Sequence, residues 1–300
     1  VKPLRVGTRG SDLALWQTNW VRDRLRAAHP SLAIELVVIK THGDIAATEP
    51  FGPAWPAGAF VGAVEVALLD GSVDLAVHSY KDLPTAETVG LTIAAIPERG
   101  PVHDVLLTRG VSRLEDLPAG ARIGTNSARR AAQLRQLGRF EFVPIRGNVP
   151  TRIAKLEREN LDGVVLAAAG LERLGISHPH RIDLPIDRFV PAPAQGALAV
   201  QTRAGTPAAD LVAAIDDPTT RSAVTAERAV LLEIEAGCHT PVGALATVTS
   251  DLLQLRAQLF SEDQARAVVG TDSGRVAAEL GARLARRLME ELAGPSSVGP

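Results

Sequence analysis

A chain of 300 residues is long for a single hydrophobic core, so its length predicts two or three domains. Hydrophobic residues make up 46% of it and mean hydropathy is +0.09, which suits a folded, soluble protein with a substantial core. No stretch approaches the roughly 18 uninterrupted apolar residues of a membrane span, and a formal net charge of −2 argues against a general nucleic-acid binder. The single cysteine excludes an intramolecular disulfide and points to a reducing compartment, with the cytoplasm as the default. Positive charge is nearly all arginine, since lysine occurs only at positions 2, 40, 81 and 155. Genome composition accounts for arginine on surface helices. The functional alternative is guanidinium forks gripping carboxylates or phosphates, and only position can separate the two.

In chain order, Leu4 to Gly7 reads as a short buried strand, and the opening residues Val1 to Gly7 fit that strand instead of an export signal. A helix near 12–28 follows, with Ser11 as its N-cap and Leu13, Trp16, Trp20 and Leu25 at helical spacing. Ile34 to Ile39 is a second apolar run of strand length. Residues 46–58 carry too much Pro and Gly for a regular element and read as a mobile loop. A helix near 60–69 and the strand Asp74 to His78 come next.

The second third repeats the theme. Arg122-Ile123-Gly124-Thr125-Asn126-Ser127, before a helix carrying Leu134 and Leu137, echoes Arg5-Val6-Gly7-Thr8-Arg9-Gly10-Ser11, and Asp162 to Leu166 echoes Asp74 to Val77. Two related α/β domains explain this, with largely parallel sheets and helices on both faces. From about residue 219 the pattern changes to a helix near 219–236 ending at Gly237, then strand-like runs at 242–248, 252–260 and 265–270. The chain closes with a helix whose Val276, Leu280, Leu284 and Leu288 form one apolar stripe, giving a small α+β domain with an antiparallel sheet.

Chemistry is expected where strands meet helices. Helix amino termini attract anions, and Arg9 and Ser11 sit at one such junction, with Thr125, Ser127, Arg129 and Arg130 at another. Each alone also reads as ordinary capping with surface arginine; both on facing domains would line a cleft for a ligand with several carboxylates. His78-Ser79-Tyr80-Lys81-Asp82-Leu83-Pro84 puts a carboxylate beside an ammonium after a strand, a pattern shared by acid/base sites and by surface turns. Arg146-Gly147-Asn148, with Arg152 at the helix start beyond it, suits close backbone approach to a ligand. Arg173 follows another strand, and Pro191 to Leu198 reads as a rigid crossover with Gln195 as an amide contact. Cys238 follows a helix-ending glycine and so belongs on a loop; with no second cysteine or His pair at ligand spacing, no metal site is expected.

Together these segments resemble the porphobilinogen deaminase family. The resemblance rests on Gly-Thr-Arg-Gly-Ser-x-Leu-Ala-Leu-Trp-Gln at 7–17, Val-His-Ser-x-Lys-Asp-Leu-Pro at 77–84 and Gly-Thr-x-Ser-x-Arg-Arg at 124–130. It extends through Arg-Gly-Asn-Val-x-Thr-Arg at 146–152, Ala-Ala-Gly-Leu-x-Arg-Leu-Gly at 168–175, Pro-Ala-x-x-Gln-Gly-Ala at 191–197 and Glu-Ala-Gly-Cys at 235–238. It implies two periplasmic-binding-protein-like (type II) α/β domains around a cleft plus the small α+β C-terminal domain. Domain 1 would hold 1–97 plus about 196–215, domain 2 would hold 102–191, and domain 3 would hold 219–300. It also implies a cytoplasmic, monomeric transferase of haem biosynthesis, without nucleic-acid or membrane partners. Four porphobilinogen molecules would be joined head to tail with loss of ammonia, and hydroxymethylbilane then released by hydrolysis.

The implied primer is a dipyrromethane cofactor joined by a thioether to Cys238. Asp82 is the implied catalytic carboxylate, beside the cationic azafulvene that loss of ammonia from the substrate leaves. Ser79, Lys81, Asp82, Thr125, Ser127, Arg129, Arg130 and Arg152 would bind the cofactor. Arg9, Ser11, Gln17, Phe60, Arg146, Arg152, Arg173 and Gln195 would bind substrate. This chain departs from the family pattern where a loop lysine is often found, having Trp55-Pro56-Ala57-Gly58-Ala59-Phe60. Gly100-Pro101-Val102-His103-Asp104 replaces the usual Asp-Pro-Arg-Asp segment, and Pro150 and Ala194 sit at unusual places. Two other readings are a non-catalytic bilobal binding protein for an anionic small molecule, and a lyase or transferase without a covalent cofactor.

Overall fold

The computed structural model describes residues 2–39, 61–235 and 241–294. The predicted loop at 46–58, Phe60 and Cys238 therefore lie outside the described residues. In chain order the elements are β1 (Leu4–Thr8), α1 (Asp12–Ala28), β2 (Ile34–Val38), α2 (Gly62–Leu69), β3 (Leu75–Ser79), β4 (Leu91–Ala95), β5 (Asp104–Thr108), β6 (Ala121–Gly124), α3 (Ala128–Leu137) and β7 (Phe140–Val143). They continue with α4 (Val149–Arg158), β8 (Gly163–Ala167), α5 (Ala168–Arg173), β9 (Arg181–Asp183), β10 (Leu198–Arg203), α6 (Pro207–Val212), α7 (Pro218–Glu235), β11 (Val242–Thr249), β12 (Leu252–Phe260), β13 (Ala267–Gly274) and α8 (Ala277–Ala293). The chain forms two compact units, Val1–Gly100 with Gly196–Arg221, and Pro101–Gln195 with Ser222–Pro300.

The first unit is built on a five-stranded sheet of order β2-β1-β3-β10-β4. β1 runs parallel to β2 and β3, whereas β10 is antiparallel to both of its neighbours. Alternation along β3 sends Leu75 and Val77 to one face, with Val21 and Leu25 of α1, and Ala76 to the other, with Val64 and Leu68 of α2. α1 starts where Ser11 Oγ accepts the Ala14 N–H, and its buried face is Gln17, Thr18, Val21 and Leu25 at helical spacing.

The second unit repeats the arrangement in a five-stranded sheet of order β7-β6-β8-β5-β9. Here β6 runs parallel to β7 and β8, and β5 is the antiparallel strand. β5 and β10 hold the same place in their sheets, and each is the first strand after the chain passes from one unit to the other. The sheets are thus largely parallel with one antiparallel strand apiece. That antiparallel strand is a consequence of chain path: a strand arriving from outside the βαβ series is not bound by the right-handed crossover rule that keeps the others parallel.

β11, β12 and β13 form a separate three-stranded antiparallel sheet. α7 and α8 cover it, with Val230, Ile234, Leu280, Leu284 and Leu288 meeting Ala244, Leu255 and Leu259 in one core. The predicted stripe on the last helix is corrected at its first member. Val276 is the N-cap of α8 and 54% exposed, because the helix begins one residue later and its buried face starts at Leu280.

α7 and α8 approach so closely at Gly281 that an added Cβ would meet the Ala226 carbonyl oxygen at 2.2 Å. Backbone cannot move aside as a side-chain tip can. Gly281→Ala is therefore expected to lower the unfolding free energy by about 1–3 kcal/mol, read from urea denaturation. An unchanged midpoint would remove this contact as a constraint on the C-terminal core.

Candidate active site

In the first unit, β1 and β3 are adjacent and parallel, so the segments that follow them leave from the same end of the sheet. Arg9 and Ser11 follow β1, and Ser79, Lys81 and Asp82 end or follow β3. Ser11 is engaged as the α1 cap. Gln17, 3% exposed on α1, donates from Nε2 to Ser79 Oγ at 2.8 Å and so ties the two junctions together. Beyond Ser79 the chain makes one 3-10 turn, Tyr80–Asp82. The Tyr80 N–H donates to the Ala197 carbonyl at 3.0 Å, and buried Leu83 packs with Val61 and Ala199. A short, anchored turn thus carries Asp82 with its side chain exposed to solvent.

Beneath that turn lies His78, 9% exposed. Burial is the main cause that brings its pKa from 6.5 down to about 4; Glu65 and Gln201 oppose the shift and Arg9 adds to it. Gln201 Nε2 donates to Glu65 Oε1 at 2.9 Å, and Glu65 Oε2 accepts from Thr88 Oγ1 at 2.9 Å, so a polar chain crosses this face of the sheet.

In the second unit the corresponding sheet end gathers four segments. Thr125 to Ser127 follow β6, Arg146 to Asn148 follow β7, α5 with Arg173 follows β8, and antiparallel β5 begins there with Asp104 opposite Ala167. Thr125 Oγ1 accepts the Ser127 N–H at 3.1 Å, and Ser127 Oγ caps α3 by accepting the Arg130 N–H at 3.3 Å. Gly147 has φ +106°, and a Cβ there would meet Thr151 Cγ2 at 2.5 Å, so this turn requires glycine. Asn148 Oδ1 caps α4 by accepting the Thr151 N–H at 3.0 Å. Pro150, unusual as sequence, falls in the first turn of α4, where no N–H partner is needed. Arg152 donates from Nε to the Gly147 carbonyl at 2.8 Å, while Arg146 is exposed. Burial lowers Arg173 to about 10.

Arg129 and Arg130 are not surface arginines. They are 6% and 7% exposed and share one carboxylate, that of fully buried Asp104. Asp104 Oδ2 accepts from Arg129 Nη2 at 2.8 Å, and Oδ1 accepts from Arg130 Nε at 3.0 Å and Nη2 at 2.6 Å. Their other ends hold backbone: Arg129 Nη1 donates to Val190 O at 2.8 Å and Arg130 Nη1 to Val165 O at 3.0 Å. Burial lowers the Arg129 pKa, Asp104 opposes the shift, and Arg130 adds to it. Two guanidiniums against one carboxylate leave one positive charge uncancelled within this cluster, at the positive end of α3.

Gln195 is fully buried, and its Nε2 donates to the Val102 carbonyl at 2.7 Å. Ala194 takes a left-handed φ of 60°, and its N–H donates to Glu227 Oε2 at 2.7 Å. Asp104 and Glu227 were missed as organising residues. For Asp104 the available signal was a carboxylate heading the apolar run Val105-Leu106-Leu107, a place that demands a cationic partner. Among the described residues, no group of three or more His, Cys, Asp and Glu side chains could hold a metal, and no helix is long and apolar enough to cross a membrane.

Two mixed α/β sheets of one strand order, each carrying arginine and hydroxyl side chains at the carboxyl ends of its parallel strands, define a two-unit α/β chain suited to an anionic ligand. The family model for "Porphobilinogen deaminase, dipyromethane cofactor binding domain" matches residues 4–211, and that for "Porphobilinogen deaminase, C-terminal domain" matches 222–290. The chain is 45% identical over 294 residues to porphobilinogen deaminase of Geobacter metallireducens, covering 97% of this chain and 92% of that protein. It is 48% identical over 292 residues to porphobilinogen deaminase 1 of Streptomyces coelicolor, covering 93% and 87%. Among solved structures, the methionine binding protein MetQ is similar at 12% identity and a TM-score of 0.45, over 73% of this chain and 91% of that one. The chain belongs to the porphobilinogen deaminase family, transferases of tetrapyrrole biosynthesis that carry a dipyrromethane cofactor.

The burial of His78 gives a pH signature. Between about 6.5 and about 4 the unfolded chain takes up a proton that the folded protein refuses. Stability is therefore expected to fall as pH drops through that window, by up to about 1.4 kcal/mol per unit from this group. Urea denaturation of the parent and His78→Gln at several pH values checks this: the variant should show a shallower slope, and equal slopes would assign the loss to other groups.

Proposed function

We propose that this chain condenses four porphobilinogen molecules head to tail, releasing ammonia at each step, on a dipyrromethane primer joined by a thioether to Cys238, and then releases hydroxymethylbilane by hydrolysis. The observation that carries the reading is that two buried guanidiniums, Arg129 and Arg130, share the single carboxylate of Asp104. Every pyrrole of the primer and product bears an acetate and a propionate, so a buried cation surplus fits such a group. When bound, the primer supplies the pyrrole carbon to which each new unit is joined.

The chain's own residues divide the remaining work. Arg129, Arg130 and Arg152 hold cofactor carboxylates, with Thr125, Ser127, Ser79 and Lys81 as further donors. Arg9, Arg146 and Arg173 hold substrate carboxylates, with Ser11, Gln17 and Phe60 in support. Asp82 stabilises the cation left when ammonia departs from the substrate and holds or releases a proton at its carboxylate. The anchored turn at Tyr80–Asp82 supports this role, because it presents the carboxylate without requiring the backbone to reorganise. Gln195, tied to Val102, supports substrate binding through the crossover that it fixes.

We further propose that residues 1–97 with about 196–215, residues 102–191 and residues 219–300 act as three functional domains, the last bearing the cofactor cysteine. The separate core of the C-terminal sheet supports that division. A monomer acting in the cytoplasm, without nucleic-acid or membrane partners, completes the reading; the net charge of −2 and the family resemblance support it. Family membership disfavours the non-catalytic binding alternative.

Intact mass of the purified protein is expected to exceed that of the polypeptide by two linked pyrrole units, and Cys238→Ser should abolish the excess. An active preparation with bare polypeptide mass would overturn the cofactor assignment. Asp82→Asn should keep the adduct yet slow consumption of porphobilinogen by about 10²–10⁴-fold. Near-parental turnover would remove Asp82 from the chemistry.

A further inference from the structure

We propose that Asp104 is a positioning residue for cofactor loading: it neutralises one of two adjacent buried arginines, so that the pair is held together with one charge reserved for a ligand carboxylate. The proposal rests on the reading of Arg129 and Arg130 as cofactor ligands. Neighbouring guanidiniums at the start of one helix repel each other and are opposed by the helix dipole. Left alone, both would turn toward solvent. Asp104 prevents this by dividing its oxygens, Oδ2 to Arg129 and Oδ1 to the Nε and Nη2 edge of Arg130. The carbonyls of Val190 and Val165 fix the opposite ends. These contacts occupy two of the five N–H bonds of Arg129 and three of those of Arg130.

The carboxylate is itself fixed by the sheet. Asp104 starts β5, pairs with Ala167 of β8, and its carbonyl accepts the Leu184 N–H at 2.9 Å. It cannot follow the arginines if they move. A second carboxylate beside it would cancel the remaining charge and leave nothing to attract the ligand; a neutral residue in its place would leave two charges uncancelled and one guanidinium without its acceptor. Asparagine illustrates the second case, since its amide oxygen can serve one arginine while its N–H groups face the other.

The test is a double-mutant cycle on loading. The parent, Asp104→Asn, Arg129→Gln and the double variant are produced without the adduct, given porphobilinogen, and followed by intact mass, with the thermal midpoint of each recorded. If Asp104 acts by positioning the pair, Asp104→Asn slows loading by about tenfold or more in the parent but by less than about threefold when Arg129 is already Gln. Loading should then fail to track the thermal midpoint. Equal slowing in both backgrounds, or parental loading by Asp104→Asn, overturns the proposal. Should Asp104→Asn not fold, the comparison of Arg129→Gln with the double variant decides by the same threefold limit. A parent that never gains the mass of two pyrrole units refutes the proposed function itself, a result distinct from any difference among variants.

Discussion

The second unit is organised around one desolvated carboxylate. Asp104 opens a strand with no exposed residue, so its charge must be met inside the protein. Arg129 and Arg130 meet it, and each reaches on to a backbone carbonyl, one on β8 and one at Val190 ahead of the crossover. Gln133, one turn along α3, holds Val190 from both sides, accepting its N–H at 2.6 Å and donating to its carbonyl at 2.9 Å. A single buried ion cluster thus joins the first strand of the unit, its first long helix, a central strand and the segment that leads out. The same cluster retains a positive charge, so what fixes this unit also suits it to an anion.

Chain path explains why the proposed site residues collect as they do. In each sheet the parallel strands end together, and the short segments beyond them carry the arginines, hydroxyls and Asp82. The antiparallel strand that follows each passage between units brings its own amino-terminal residue to that same end, which is how Asp104 reaches Arg129 and Arg130. Helix caps at Ser11, Ser127 and Asn148 make these segments short and defined, so the side chains proposed to bind stand on rigid supports.

Stability and the proposed chemistry lie side by side in the first unit. Exposed Asp82 can interact with a charged ligand because its turn is anchored by Ser79, Tyr80 and Leu83 and does not depend on the carboxylate. His78, four residues earlier, faces the core and remains neutral because solvation is lost there. Neighbours in one motif therefore serve different ends: His78 lies within the buried strand β3, whereas Asp82 stands on the turn beyond it.

The sequence by itself determined the elements whose signals are local. The Ser11 cap with its helix, the strands read at 4–7 and 74–78 and found at 4–8 and 75–79, the three C-terminal strands and the stripe Leu280, Leu284 and Leu288 all follow from periodicity and capping chemistry. The motif set was legible too, because seven segments in one order are specific where each alone is weak. Short β4, β5, β7 and β9 were not read, since runs of three to five residues gain their strand character from neighbours in the sheet. Only the tertiary structure decided the partners of Arg129 and Arg130. Asp104 lies 25 residues from Arg129 in sequence, and it is the antiparallel placement of β5 that brings them to 2.8 Å. The identity of a charged residue is written locally; whether that charge faces water or is buried against an opposite one is set by which strand the fold lays beside it.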